Sequence, residues 1–180
     1  MIDQNTQHAF IRGDEHALEK IIHVYTSPLI RYCTAIMCNA EEAKDVVQET
    51  FIKAYEKRRL FQSKTSLNAW LYRIAYTTAI DTLRKRERRA KLIPFVAKAE
   101  SNNSQSGISE PLYRILISLS VKERTLLFGR VLEERPYNEL ALILNSSESA
   151  LRKRYQRLIR KLALEIEKEE AYDFKLMRSE

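Results

Sequence analysis

Trp70-Leu-Tyr-Arg-Ile-Ala-Tyr-Thr-Thr-Ala-Ile-Asp-Thr-Leu-Arg-Lys-Arg-Glu-Arg-Arg89 decides how this chain is read, because one helical pattern there passes from apolar to strongly basic without a breaker. Leu67, Leu71, Ile74 and Thr78 recur at helical spacing on one side, with Tyr76, Ile80 and Leu83 on a neighbouring side. The early turns are therefore expected to be buried between other helices. From Arg84 that pattern stops. Arg84, Lys85, Arg86, Arg88, Arg89 and Lys91, with Glu87 among them, put positive charge around the whole helix end, where packing is impossible and contact with a polyanion is favoured. Answering the helix macrodipole takes only one or two such cations. Tyr72 and Tyr76 lie just upstream. Exposed, they offer faces for unstacked bases beside charge for the backbone, as single-stranded nucleic acid requires; as core residues they do not, and the pattern leaves both readings open.

The composition agrees with a nucleic-acid partner. Among 180 residues, Lys+Arg number 31 against Asp+Glu 24, a net charge of +7, which favours nucleic acid or an anionic membrane surface. Gly 3 and Pro 4 leave few turns, so the chain is expected to be all-α. Met1 to His8 is polar, and no apolar run approaches the ~20 residues that cross a bilayer, which predicts a soluble, cytoplasmic protein. Cys33 and Cys38 have neither redox-pair nor zinc half-site spacing, and His8, His16 and His23 complete no ligand set. Reduced, partly buried thiols are the expectation, with redox sensing as the lesser alternative. No metal or cofactor is called for.

Upstream, Gly13 ends a short first helix anchored by Phe10 and Ile11. Ala17, Leu18, Ile21, Ile22 and Tyr25 mark a helix from Glu15 to about Ser27, and Pro28 is expected to begin a separate one running to about Cys38. Asn39, three before Glu42, resembles a capping box and opens a helix to about Arg59 that buries Ala43, Val46, Val47, Phe51 and Ala54. Asp45, Gln48, Glu49, Lys53 and Glu56 are left on its other faces, either solvated or as a protein contact. Phe61 to Ser66 reads as a hydroxyl-rich loop pinned by one aromatic.

Downstream, Lys98 to Glu110 has the composition of a flexible linker and divides the chain into two small helical domains, 1–91 and 111–180, with 92–110 between them. Pro111 begins a helix striped by Leu112, Ile115, Leu116 and Leu119; Ser120 and Glu123 form a capping box for the next, which carries Leu126, Leu127 and Val131. Pro136 starts a short helix, Tyr137 to Leu144. After the Asn145-Ser-Ser147 turn a long helix follows with Leu151, Tyr155, Leu158 and Leu162 inward. Ser149, Arg152, Lys153, Gln156, Arg157 and Arg160 lie off that stripe, and Ala141 permits a close crossing, so the pair reads as a helix-turn-helix. The tail from Glu165 is expected to fray.

Together the halves resemble a bacterial RNA polymerase sigma factor of the extracytoplasmic-function group, which keeps only the second and fourth conserved regions. Asp45-Val-Val-Gln-Glu-Thr-Phe51 resembles its core-polymerase contact helix, and Trp70 to Ala75, Ala79-Ile-Asp81 and the basic run resemble its promoter-melting helix. Leu119, Arg124, Tyr137, Glu139, Ala141, Leu144, Arg152, Arg154, Arg157 and Leu162 are similar to its fourth region. Ser63 stands where the family often has Gly, and Thr77 where it often has Asn, so promoter sequence does not carry across. Asn145 replaces the usual turn Gly, which Asn's tolerance of the left-handed region permits.

The resemblance implies a protein that binds core RNA polymerase, directs it to −35 and −10 promoter elements and helps open the duplex, without chemistry or a small-molecule substrate of its own. Asp45, Gln48, Glu49 and Ile52 would meet polymerase. Phe61, Ser63, Lys64, Thr65, Ser66, Asn68, Arg73, Thr77, Arg84, Lys85 and Arg88 would handle the single-stranded −10 region, a flipped base held by hydroxyls and amides and phosphates by cations. Ser149, Arg152, Lys153, Gln156 and Arg157 would read duplex at −35. An anti-sigma factor is expected as a further partner. The linker's roughly twenty residues span ~25 Å as a coil and up to ~70 Å drawn out, which allows the domains to lie close in the free chain and part on the promoter. A stand-alone helix-turn-helix regulator is the alternative, and it leaves the first half unexplained; a membrane-surface scaffold would want a one-sided apolar face that the basic helix lacks.

Overall fold

The computed structural model describes residues 2–61, 66–92 and 109–177, and among them it is all-helical. The helices are α1 (Gln4–Arg12), α2 (Glu15–Met37), α3 (Ala40–Glu56), α4 (Leu67–Leu92), α5 (Glu110–Ser118), α6 (Val121–Val131), α7 (Tyr137–Leu144) and α8 (Glu148–Met177), with a 3-10 turn at Arg58–Leu60. Residues 93–108, most of the expected linker, and Ser63, Lys64 and Thr65 of the expected base-capturing loop lie outside the described residues.

Local chemistry explains most of the boundaries. Asp3, Asp14 and Asn39 each accept a backbone N–H of the helix they precede, satisfying a donor that the first turn leaves free. Gly13 ends α1 at φ 92°, a conformation glycine adopts without cost. Ser120 and Glu123 form a complete capping box at α6, whereas at α3 the Glu42 carboxylate instead takes Arg86 at 2.9 Å. Asn145 closes α7 in the left-handed region at φ 48°.

The expected break at Pro28 does not occur, because α2 runs through it. An internal proline costs about 3 kcal/mol, but Ala17 and Ile21 before it and Leu29, Tyr32, Cys33 and Ile36 after it are buried in one core. Two half-length helices would have to bury the same stripe at two new ends. Val131 and Leu112 are corrections of a different kind: both are exposed, and Phe128 is the inward residue late in α6. The last helix is continuous from Glu148 to Met177.

α2, α3 and α4 pack on one another, with α1 against α2; in the second half α7 and α6 pack on α8. The halves are also joined, α6 lying on α2 and α7 on α4. Leu126, Phe128, Leu140, Ile143, Leu144 and Leu151 belong to the same buried cluster as Tyr32, Ile36, Leu71 and Tyr72. Gly129 permits the close approach of α6 and α7, since a Cβ there would stand 2.6 Å from Leu140 Cδ2.

Candidate polymerase and nucleic-acid interfaces

α3 presents a face suited to a protein. With Ala43, Val46, Val47, Thr50, Phe51 and Ala54 turned inward, Asp45, Gln48, Glu49 and Ile52 are all exposed along the opposite side. Ile52 is 55 % exposed, an aliphatic side chain set among acids and an amide. Glu49 pairs with Lys53 at 3.3 Å, and Lys53 also donates to Thr78 Oγ1, which ties this face to α4.

α4 divides as its sequence does. Leu67, Leu71, Ile74, Ala75, Thr78, Ala79 and Leu83 are buried, while Arg84, Lys85, Arg86, Arg88 and Arg89 are exposed. Arg86 bridges to Glu42, and Arg84 lies 3.8 Å from Asp81. Such exposed pairs contribute little stability and yield readily to a phosphate.

The early turns of α4 differ from the exposed-aromatic reading. Tyr72 is 2 % and Tyr76 8 % exposed. Tyr72 lies edge-on to Tyr32 with ring centroids 4.7 Å apart, and its hydroxyl donates to Glu133 Oε1 at 2.6 Å. Burial first, and then the Glu133 carboxylate, push its phenol well above the ordinary value. Phe61, expected both to pin its loop and to face the −10 strand, is buried and packs on Trp70, centroids 5.3 Å apart. Ser66 and Thr77 are exposed and Asn68 is half-buried. Arg73 is exposed yet donates to the Leu142 carbonyl at 2.9 Å, and Asn68 accepts from Arg135 at 3.0 Å.

Arg135 had no signal in the sequence, since neither spacing nor motif marks it. It is 6 % exposed, ion-paired with Glu133 and, at 3.0 Å, with Glu139, and its guanidinium stacks over the Tyr72 ring at 3.7 Å. Burial, the largest single influence, opposes its charge, but Glu133 and Tyr72 together outweigh it and raise its pKa, so it remains a cation. Arg124 makes a second tie between the halves. It donates to Ile36 O and lies 3.0 Å from Cys38 Sγ, occupying a carbonyl that the end of α2 leaves free. The buried Cys33 thiol is pushed up to about 12 by desolvation, which suits packing rather than reactivity.

On α8 the expected reading face is open. Ser149, Arg152, Lys153, Gln156 and Arg157 are exposed, Leu151 and Leu158 are buried, and α7 crosses behind. Arg152 is held by Glu148 at 3.3 Å and stacks over Tyr137 at 4.5 Å, so it is oriented before any ligand arrives. A groove of about 670 Å³ separates α4 from α6 and α7, lined among others by Tyr76, Ile80, Arg84, Val121, Leu144 and Arg154. No helix among the described residues is long and apolar enough to cross a membrane.

Comparison with known proteins bears on both halves. Residues 21–89 match the family model described as sigma-70 region 2. The chain is 30% identical over 164 residues to the ECF RNA polymerase sigma-E factor of Salmonella typhimurium (strain LT2), covering 79% of this chain and 83% of that one. It is 28% identical over 162 residues to the ECF RNA polymerase sigma factor SigW of Bacillus subtilis (strain 168), covering 81% and 87% respectively. Among solved structures, CnrH in complex with the cytosolic domain of CnrY superposes with a TM-score of 0.72 at 20% identity, over 93% of this chain and 98% of that one. The sigma factor RpoE of Bartonella quintana, in complex with the anti-sigma factor NepR, gives 0.66 at 22% identity, over 80% and 92%.

Proposed function

This chain belongs to the ECF family of RNA polymerase sigma factors, and from that premise we propose how its surfaces divide the work of initiation. The protein binds core RNA polymerase, directs it to promoters and helps open the DNA. The observation that carries the reading is the alignment to the sigma-E factor, which runs through both helical units rather than through the helix-turn-helix alone.

Residues 1–91 form the polymerase-binding and −10 unit, 111–180 the −35 unit, and 92–110 the connection. Asp45, Gln48, Glu49 and Ile52 contact core polymerase through the exposed side of α3. The basic end of α4, with Arg84, Lys85 and Arg88, holds phosphates near the melted region, which orients the protein without specifying sequence. Ser66, Asn68, Arg73 and Thr77, together with Ser63, Lys64 and Thr65, meet the unpaired −10 strand. Arg152 and Lys153, at the first turn of α8 past the helix-turn-helix turn, reach base edges at −35, with Ser149 and Gln156 beside them and Arg157 on phosphate. The protein supplies binding energy and position, and polymerase supplies the chemistry, so no catalytic group is assigned to this chain. It works in the cytoplasm, where polymerase is.

An anti-sigma factor is the further partner. RpoE, a structural neighbour, was solved with the anti-sigma factor NepR. The groove beside α4, α6 and α7 has apolar side chains in Tyr76, Ile80, Val121 and Leu144 and a mixed rim in which Arg84, Lys122 and Arg154 stand with Asp81 and Glu123, a surface that an amphipathic helix would fill. Run-off transcription with purified core polymerase tests the main reading. Specific transcripts that require this chain support it; binding of duplex promoter by the chain alone, with no transcript on adding core, overturns it.

A further inference from the structure

Three helices of the second half converge on one aromatic ring. Tyr137 is the first residue of α7, placed there by Pro136, whose own ring holds φ at −67°. The Arg130 guanidinium, from the end of α6, lies over the Tyr137 ring at 4.6 Å, and that of Arg152, from α8, at 4.5 Å. Tyr155 meets the ring edge-on with centroids 6.4 Å apart. Tyr137 is half-buried and packs against the core, so its ring is not free to turn away. Arg130 is fixed in turn. It donates to the Arg135 carbonyl, and its Nε is buried without a hydrogen-bond partner, so this cation stays with the ring rather than in solvent.

We infer that Tyr137, which lies outside the reading helix, is a positioning residue for −35 discrimination: its ring face fixes the angle at which Arg152 enters the major groove. The inference rests on the assignment of Arg152 to base edges and adds what aims it. Glu148 also holds Arg152, accepting from Nη2 at 3.3 Å, but the two restraints differ in kind. A carboxylate consumes N–H donors that a guanine edge would need, and it is repelled by the phosphates of the duplex. A ring face carries no net charge and engages the flat side of a guanidinium, leaving the in-plane donors for a base. The ion pair is therefore surrendered on binding, whereas the stack persists in the complex.

Ordering a long side chain beforehand turns a contact into discrimination. An arginine free to swing finds an acceptor on more than one base pair, or on a phosphate, and loses rotamer freedom with each. Held over Tyr137, Arg152 reaches only acceptors in line with the ring. Since Arg130 and Tyr155 brace that ring from α6 and α8, the aim of Arg152 is set by the packing of three helices and not by α8 alone.

The test uses holoenzyme reconstituted from purified core polymerase and the full chain. The probe is a promoter that the parent holoenzyme transcribes, randomised across its −35 element, and sequencing of bound and unbound molecules gives a preference profile. Tyr137→Leu should flatten the preference about fivefold at the base pair where Arg152→Ala flattens it, and should add nothing in an Arg152→Ala background. Tyr137→Phe, which keeps the ring face and removes the hydroxyl, should retain the parent profile. An unchanged profile in Tyr137→Leu overturns the proposal, even where binding to every sequence falls alike, since that result makes Tyr137 a packing or phosphate-contacting residue. A Phe variant flattened as far as the Leu variant also overturns it, by moving the role to the hydroxyl. If Arg152→Ala itself keeps the parent profile, the assignment of α8 to −35 base edges fails first, and the aiming of Arg152 fails with it. Tyr137→Leu also removes the edge contact with Tyr155; if thermal unfolding shows the second half lost, Tyr137→Met, with an unbranched apolar side chain in place of the ring, is judged by the same outcomes.

Discussion

Reversing one charge on α3, Glu49→Lys, separates a polymerase contact from a merely solvated face. In the folded chain Glu49 pairs with Lys53 at 3.3 Å, the side chains being 49% and 30% exposed. Losing such a pair costs about 0.3–0.5 kcal/mol, and the Lys–Lys repulsion created four residues apart adds a similar amount. The total is below ~1 kcal/mol, equivalent to a fall in Tm of about 2–4 °C for a chain of this size. Lys53 stays anchored on Thr78, so the α3–α4 packing is not expected to move. If Glu49 instead meets a cation of polymerase in a desolvated contact, removing it costs ~2–5 kcal/mol. Reversal then raises the Kd for core at least roughly thirtyfold. Titration of labelled protein with purified core, beside thermal unfolding of the free variant, reads both quantities. A Kd within about threefold of the parent would refute the assignment of this face, as would a loss of Tm beyond ~10 °C, which would mean that Glu49 supports the fold in a way the structure does not contain.

On α8, Arg152→Ala should cost ~1–3 kcal/mol on the preferred −35 sequence and flatten discrimination at one position, whereas Arg157→Ala should weaken all sequences alike and reduce the salt slope by about one. Promoters mutated base by base provide the comparison. Ser120→Ala should destabilise the second half by ~1 kcal/mol at neutral pH by dismantling the capping box. Part of that difference depends on pH. The Ser120 hydroxyl holds the Glu123 carboxyl below its ordinary value of 4.5, so its contribution is present above that pH and is lost as pH falls through the lowered folded value. Urea unfolding at neutral and acid pH should show the gap between parent and variant narrowing. Thiol alkylation of the folded protein should modify Cys38, which is partly exposed beside Arg124, well before Cys33, whose thiol is buried and pushed up to about 12; mass spectrometry of the digested protein reads the order.

Wherever a residue's role depends on neighbours within a turn or two of the same helix, the sequence is sufficient. The Leu67, Leu71, Ile74 and Thr78 stripe is buried because 3.6-residue spacing puts it on one side. Asn39, Ser120, Gly13 and Asn145 act at helix ends through their own backbone preferences, which need no distant partner. The exposed α3 face and the exposed face of α8 follow in the same way, as the complement of stripes that must be buried. The family resemblance rested on these same short patterns, which is why it held along both halves.

What the tertiary structure decided lies between elements that are far apart in the chain. Pro28 could start a helix or sit inside one, and only a core that receives Ile21 and Leu29 together makes the continuous helix the better solution. Phe61 reads both as the aromatic that pins its loop and as a −10 residue, and its packing on Trp70 takes the ring inward. Tyr72 was equally readable as exposed or buried because what buries it is Arg135, more than sixty residues on, which no periodicity connects to it. A lone arginine between two glutamates reads as surface charge in any sequence. Docking of α7 on α4 is what takes it out of water, and a cation removed from water must find carboxylates and an aromatic face there or not be buried at all.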